Sequence, residues 1–111
     1  MPTAWQSLGI NSWPVPSPHL ALLFDEIVLP GTVKMRLGSE VQFTQKLVLF
    51  AYPPGAPEAM TQLASFPVTA KTPAKIDFNY SAAKTRNIVL LAQTPSGWLR
   101  VERQLKLGHT P

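Results

Sequence analysis

Two histidines, six carboxylates and no cysteine make a thin supply of groups for acid–base or metal chemistry near neutral pH. His19 lies in a Pro-rich stretch and His109 near the C-terminus. A Ser-His-Asp arrangement needs a rigidly held imidazole; neither position supplies one, so both read as solvated. Zinc ligation lacks a pair of histidines one helical turn apart. Without cysteine there is no thiolate nucleophile, Cys-rich zinc site, iron–sulfur cluster or disulfide within these residues. Asp25-Glu26 is the one unusual acidic pair, set inside an apolar run. Neighbours on a strand point to opposite faces, which unsuits them as paired carboxylates. The pair instead reads as a strand edge, or as Glu26 meeting a Lys or Arg across strands. The six glycines are isolated turn formers, with no phosphate-cradling loop. No catalytic residue, metal or cofactor is expected, and the chain reads as non-enzymatic.

Binding chemistry is the alternative. Ten Lys and Arg against six Asp and Glu give a net charge of +4 and a pI near 9.8. The candidate nucleic-acid set is Lys71, Lys75, Lys84, Arg86, Arg100, Arg103 and Lys106, with Trp98 as a stacking platform. The cations are scattered and the charged fraction is only 14%, so a solvated sheet face with charge-blunted edges is the stronger reading. No nucleic-acid partner is expected.

The elements that would position any site are strands. The 111 residues are one domain's worth. Twelve prolines spread along them argue against a helical bundle. No apolar run reaches the roughly 18 residues that a membrane helix needs. Residues 1–19 read as a Pro-rich arm or tether, in which Trp13-Pro14-Val15-Pro16-Ser17-Pro18 is too interrupted for helix or central strand. Trp5 and Trp13 suggest that the arm docks on the domain. His19 to Leu29 reads as one long strand, followed by a Pro30-Gly31 turn. Thr32 to Leu37 alternates, with Val33, Met35 and Leu37 on one face. Gly38-Ser39 reads as a second turn, Val41 to Tyr52 as a strand, and Glu58 to Ser65 as one or two helical turns. Further strands are expected over 66–70, 74–80, 87–93 and 98–107, the last two joined by a Thr94-Pro95-Ser96-Gly97 turn. About seven strands and at most one short helix predict an all-β fold: an antiparallel β-sandwich or small barrel over 20–107, with residues 108–111 as a fraying tail.

One strand carries spare apolar surface. Val48, Phe50 and Tyr52 lie on one face, and Leu47, Leu49 and Ala51 on the other. A two-sheet sandwich has one core, so one set needs another cover. The arm, the 58–65 segment and a partner peptide are the three covers available. Val48, Phe50 and Tyr52, with Trp98 nearby, form the candidate partner-binding surface.

The order of motifs resembles the YbaY/YscW family of small β-rich bacterial lipoproteins. The resemblance lies in a Leu-Pro-Gly turn leading into Val33-Lys34-Met35-Arg36-Leu37, then Phe66-Pro67-Val68. Ala74-Lys75-Ile76-Asp77-Phe78-Asn79-Tyr80 follows, and Asn87-Ile88-Val89-Leu90-Leu91-Ala92 runs on to Ser96-Gly97-Trp98-Leu99. It covers roughly residues 20–107 and departs from the family in a shortened turn at Leu29-Pro30-Gly31-Thr32. Within the family the chain looks most like the pilotins of type III secretion systems, of the YscW or ExsB kind. The resemblance implies a β-sandwich lipoprotein on the periplasmic face of the outer membrane. It implies binding of the C-terminal segment of a secretin, delivery of that protein to the membrane and help in ring assembly. The lipid would sit on an N-terminal Cys absent here, anchoring the protein in the inner leaflet of the outer membrane, with Met1 opening a soluble truncated form.

A pilotin must capture a short flexible peptide, either as an added strand at a sheet edge or as an amphipathic helix in a groove. A monomer is expected. The rivals are a general envelope lipoprotein binding another protein, a weak nucleic-acid-binding barrel and, last, an enzyme.

Overall fold

The computed structural model describes residues 1–69 and 74–108. Lys71, His109 and the ends of the expected 66–70 strand and of the 108–111 tail lie outside them. The fold is a β-sandwich, as the strand count predicts. The elements are α1 (Thr3–Gln6), β1 (Val15–Pro16), β2 (Leu20–Leu23), β3 (Ile27–Val28), β4 (Gly31–Ser39), β5 (Lys46–Tyr52), β6 (Thr61–Pro67), β7 (Ala74–Ala82), β8 (Arg86–Thr94) and β9 (Gly97–Leu107). A 3-10 turn spans Pro57–Ala59. The larger sheet runs β1-β9-β8-β5-β6, with β3 also paired to β9; the smaller runs β2-β4-β7.

The core between the sheets follows from period-two alternation. Val33, Met35 and Leu37 of β4 point inward against Leu47, Leu49 and Ala51 of β5 and Ile88, Leu90 and Ala92 of β8. At roughly 1.5–3 kcal/mol for each large side chain buried, this cluster is the main source of stability. The outward residues of β4 and β7 are polar: Lys34 and Arg36 on one strand, Lys75, Asp77 and Asn79 on the other.

Three local readings are corrected. The run from His19 to Leu29 is not one strand. It pairs with β4 as far as Leu23, then crosses to the other sheet, where Ile27-Val28 lies parallel to Lys106-Leu107. Arg103 holds the crossover. It donates to the Leu22 carbonyl (2.8 Å) and to Glu26 Oε1 (3.2 Å), and stands over the Phe24 ring at 4.6 Å. The cation expected opposite Glu26 is thus Arg103. Gly38 and Ser39 are not a turn but the end of β4; a Cβ at Gly38 would stand 2.9 Å from the Ala74 carbonyl oxygen, so the strand pairing itself demands glycine. Thr61 to Ser65 is strand rather than helix, because β5 supplies a pairing partner along its length.

Candidate functional site

The four residues expected to bind a partner do come together. On the outer face of the larger sheet Val48 pairs across to Leu91, Phe50 to Val89 and Tyr52 to Asn87. Trp98 packs at the border of the same cluster. They do not form an open surface, because the chain's own arm covers them. Trp5, fully buried, stands edge-on to Phe50, and Ile10 and Met60 complete the lid. Of the three covers available in the sequence, the arm and the start of the 58–65 segment both serve. The arm is fixed by Val15-Pro16 lying parallel to Leu99-Arg100 and by Arg100, which donates to the Pro14 carbonyl (3.3 Å) and stands 5.3 Å from the centre of the Trp13 ring.

The polar end of this face is a hydrogen-bonded trio. Tyr52 donates to Glu102 Oε2 (2.9 Å) and accepts from Asn87 Nδ2 (3.0 Å). Burial pushes the Tyr52 phenol above its usual 10.0; the Asn87 hydrogen bond opposes the shift and the Glu102 carboxylate adds to it. Among the described residues no three His, Cys, Asp or Glu side chains converge on a metal-sized site. The described cations of the nucleic-acid set do not share one face: Arg100 and Arg103 alternate on β9 and are tied to the arm and the crossover respectively.

An open site lies elsewhere, and sequence reading missed it. Strand β4 is nine residues long, but β2 pairs with only its last four, Arg36 to Ser39. On that side Gly31 to Met35 has no paired strand among the described residues. The segment that would have continued the pairing has crossed to β9 instead. What remains is an open groove of about 1010 Å³ between the free half of β4 and the crossover. Leu23, Phe24, Val28 and Leu29 form its apolar wall, and Lys34, Arg36 and Arg103 add positive charge beside Asp25 and Asp77. Leu23 (54% exposed), Ile27 (68%) and Leu29 (56%) stand out in water around this crossover. At about 3.3 Å per residue, the free edge is long enough to seat five residues of an added strand. The available signal was Asp25-Glu26: a charged pair in an apolar run marks where a strand ends.

No family model and no curated protein matches the chain. Solved structures do. SoxY, the sulfur carrier protein from Chlorobium limicola f thiosulfatophilum, superposes with a TM-score of 0.75 at 20% identity, over 94% of this chain and 93% of its own. A superoxide reductase (neelaredoxin) from Ignicoccus hospitalis gives a TM-score of 0.67 at 13% identity over 80% of both chains. A variant of the same reductase gives 0.63 at 15% identity over 80% of this chain and 79% of its own. These likenesses establish the sandwich fold, which hosts different chemistries. No helix among the described residues is long and apolar enough to cross a membrane.

Proposed function

We propose that this chain is a non-enzymatic binding module that captures an extended, apolar segment of another protein by strand addition along Gly31 to Met35. The observation that carries this reading is the free half of β4 facing exposed Leu23 and Leu29 across an open groove. Main-chain hydrogen bonds along the edge would supply affinity, and the apolar wall would select alternate side chains. The partner we propose is the C-terminal segment of a secretin, with the chain acting as a lipid-anchored pilotin at the outer membrane; the motif resemblance supports it. With the arm closed over Val48, Phe50 and Tyr52, the β4 groove replaces that face as the proposed surface.

Titration calorimetry against the C-terminal ~50 residues of the secretin from the same organism tests this; the length exceeds the roughly 20–30 residues per side of an ordinary interface. Saturable, salt-tolerant binding that Leu29→Asp abolishes is the expected result. No binding by folded protein overturns the secretin as partner. Binding that Leu29→Asp leaves intact overturns the groove.

A second reading is favoured by the correspondence with SoxY over nearly the whole of both chains: service in sulfur-compound transfer. The 111 residues hold no cysteine, so a thiol-bound sulfur would sit on a group outside them. The chain's part would then be docking. Retention of a sulfur carrier from the same organism on the immobilised chain, where the secretin segment is not retained, would favour this reading.

A further inference from the structure

The edges of the two sheets are not equally protected. In the larger sheet, β6 carries Pro67 and a bulge at Leu63, and β9 is flanked by β1 and β3. In the smaller sheet, β2 is four residues long. Such devices discourage one sheet from pairing with another. Strand β7 has none of them. It is nine residues long, contains no proline, pairs with β4 in unbroken register and has no strand on its other side among the described residues. Its inward residues Ile76, Phe78 and Tyr80 are only half-buried, although Phe78 packs edge-on against Phe66 at 6.1 Å.

The sequence of this strand is complementary to itself. Laid antiparallel to a second copy and centred on Phe78, Ile76 faces Tyr80, Phe78 faces Phe78, Lys75 faces Ser81 and Asp77 faces Asn79. No like charges stand directly opposite. Each Asp77 carboxylate would meet the Asn79 amide of the second copy while held by its own Arg36, which contacts it at 3.1 Å. Across both molecules the outer row would read Arg36, Asp77, Asn79, Lys34, since Lys34 is the β4 neighbour of Asn79. The two Asp77 groups would lie on a diagonal, at roughly 7–8 Å. On the inner face the aromatic pair and the Ile76–Tyr80 pairs would extend the core across the twofold axis, as self-complementary dimers require.

We infer that β7 is the dimerisation edge of this protein, joining two copies through one continuous six-stranded antiparallel sheet. The dimer and the β4 groove use different main-chain edges, the groove lying on the side of β4 away from β7, but they share the outward side chains Lys34, Arg36, Asp77 and Asn79.

Sedimentation equilibrium of the full chain, with concentration-dependent amide exchange, tests it. A dimer is expected, with those alternate amides of 75–81 that point away from β4 protected at high concentration and exchanging on dilution. Asn79→Asp would place a carboxylate opposite Asp77 of the second copy, twice per dimer. Within one copy it faces Lys34, so the fold and melting temperature should persist. The variant should weaken the dimer by about tenfold or more. A 12.2 kDa species persisting up to about 1 mM, near the −4 kcal/mol limit of weak association, would overturn the inference. So would a dimer indifferent to Asn79→Asp, or one whose 75–81 amides exchange equally at all concentrations.

Discussion

Trp5 stands edge-on to Phe50, ring centroids 6.4 Å apart, and neither ring touches water. The contact ties the first turn of the chain to the middle of the central sheet. It turns a Pro-rich arm into the third layer of the fold.

Trp5→Ala should therefore behave as a core truncation. A loss of about 3–5 kcal/mol is expected, as for other buried aromatics cut to alanine, read from the urea midpoint. A dye that reports exposed apolar surface should bind the variant through the uncovered Phe50 face. A change within about ±0.5 kcal/mol, typical of surface positions, would mean that the arm is not docked in solution.

The Tyr52 trio makes stability depend on alkaline pH. The folded phenol titrates above the unfolded value of 10.0, so between the two values the folded state binds more protons. Stability is then complete below pH 10.0 and falls as pH rises through the folded value. Tyr52→Phe removes that component of the slope. It also takes from Glu102 its hydrogen-bond donor, at a cost of about 1–3 kcal/mol near neutral pH. Urea titrations on both sides of pH 10.0 check both effects.

Gly38→Ala should destabilise although Gly38 lies in regular strand. The new methyl would stand 2.9 Å from the backbone oxygen of Ala74, which moves only if β4 and β7 separate. Overpacking of this kind costs about 1–3 kcal/mol. Thermal unfolding of the variant, compared with Ala21→Gly on the adjacent strand, separates crowding from loss of packing.

Arg103→Met should loosen the crossover while keeping the side chain's bulk. It removes the hydrogen bond to Leu22, the contact with Glu26 and the cation over Phe24. Faster amide exchange over residues 24–29 is expected, with weaker capture of any peptide held in the β4 groove. Unchanged exchange would show that the β3–β9 pairing alone fixes the segment.

How much of this was legible without coordinates depends on which signal each residue carries. Val33, Met35 and Leu37, and again Ile76, Phe78 and Tyr80, alternate cleanly, and both runs are strands facing the core. Gly38 was ambiguous because glycine serves both turns and close backbone approach; only the position of Ala74 decides between them. Met60, Leu63 and Ala64 have helical spacing by coincidence, and long-range pairing with β5 overrides it. The run 19–29 is apolar on both faces apart from Asp25-Glu26, so its change of sheets at Phe24 to Glu26 is marked by that charged pair alone and not by periodicity. The β4 groove exists only because of that change. The covered face was legible as a patch in need of a cover, but which cover wins is settled by packing between residues far apart in sequence, Trp5 and Phe50.

The last strand also sets a schedule. Both the arm, at Val15-Pro16, and the crossover, at Ile27-Val28, complete their pairing on β9. As the chain emerges from its N-terminus, β1 and β3 must wait, unpaired, until β9 follows, whereas β2 can pair with β4 much earlier. Two parallel closures, Val15 to Leu99 and Ile27 to Lys106, each span about three-quarters of the chain and make folding slow for its size. For that interval Phe50, Leu91 and the neighbouring apolar face are open to holdase chaperones. Chains truncated before Trp98 should be captured by such a chaperone, and chains that include β9 through Leu107 released.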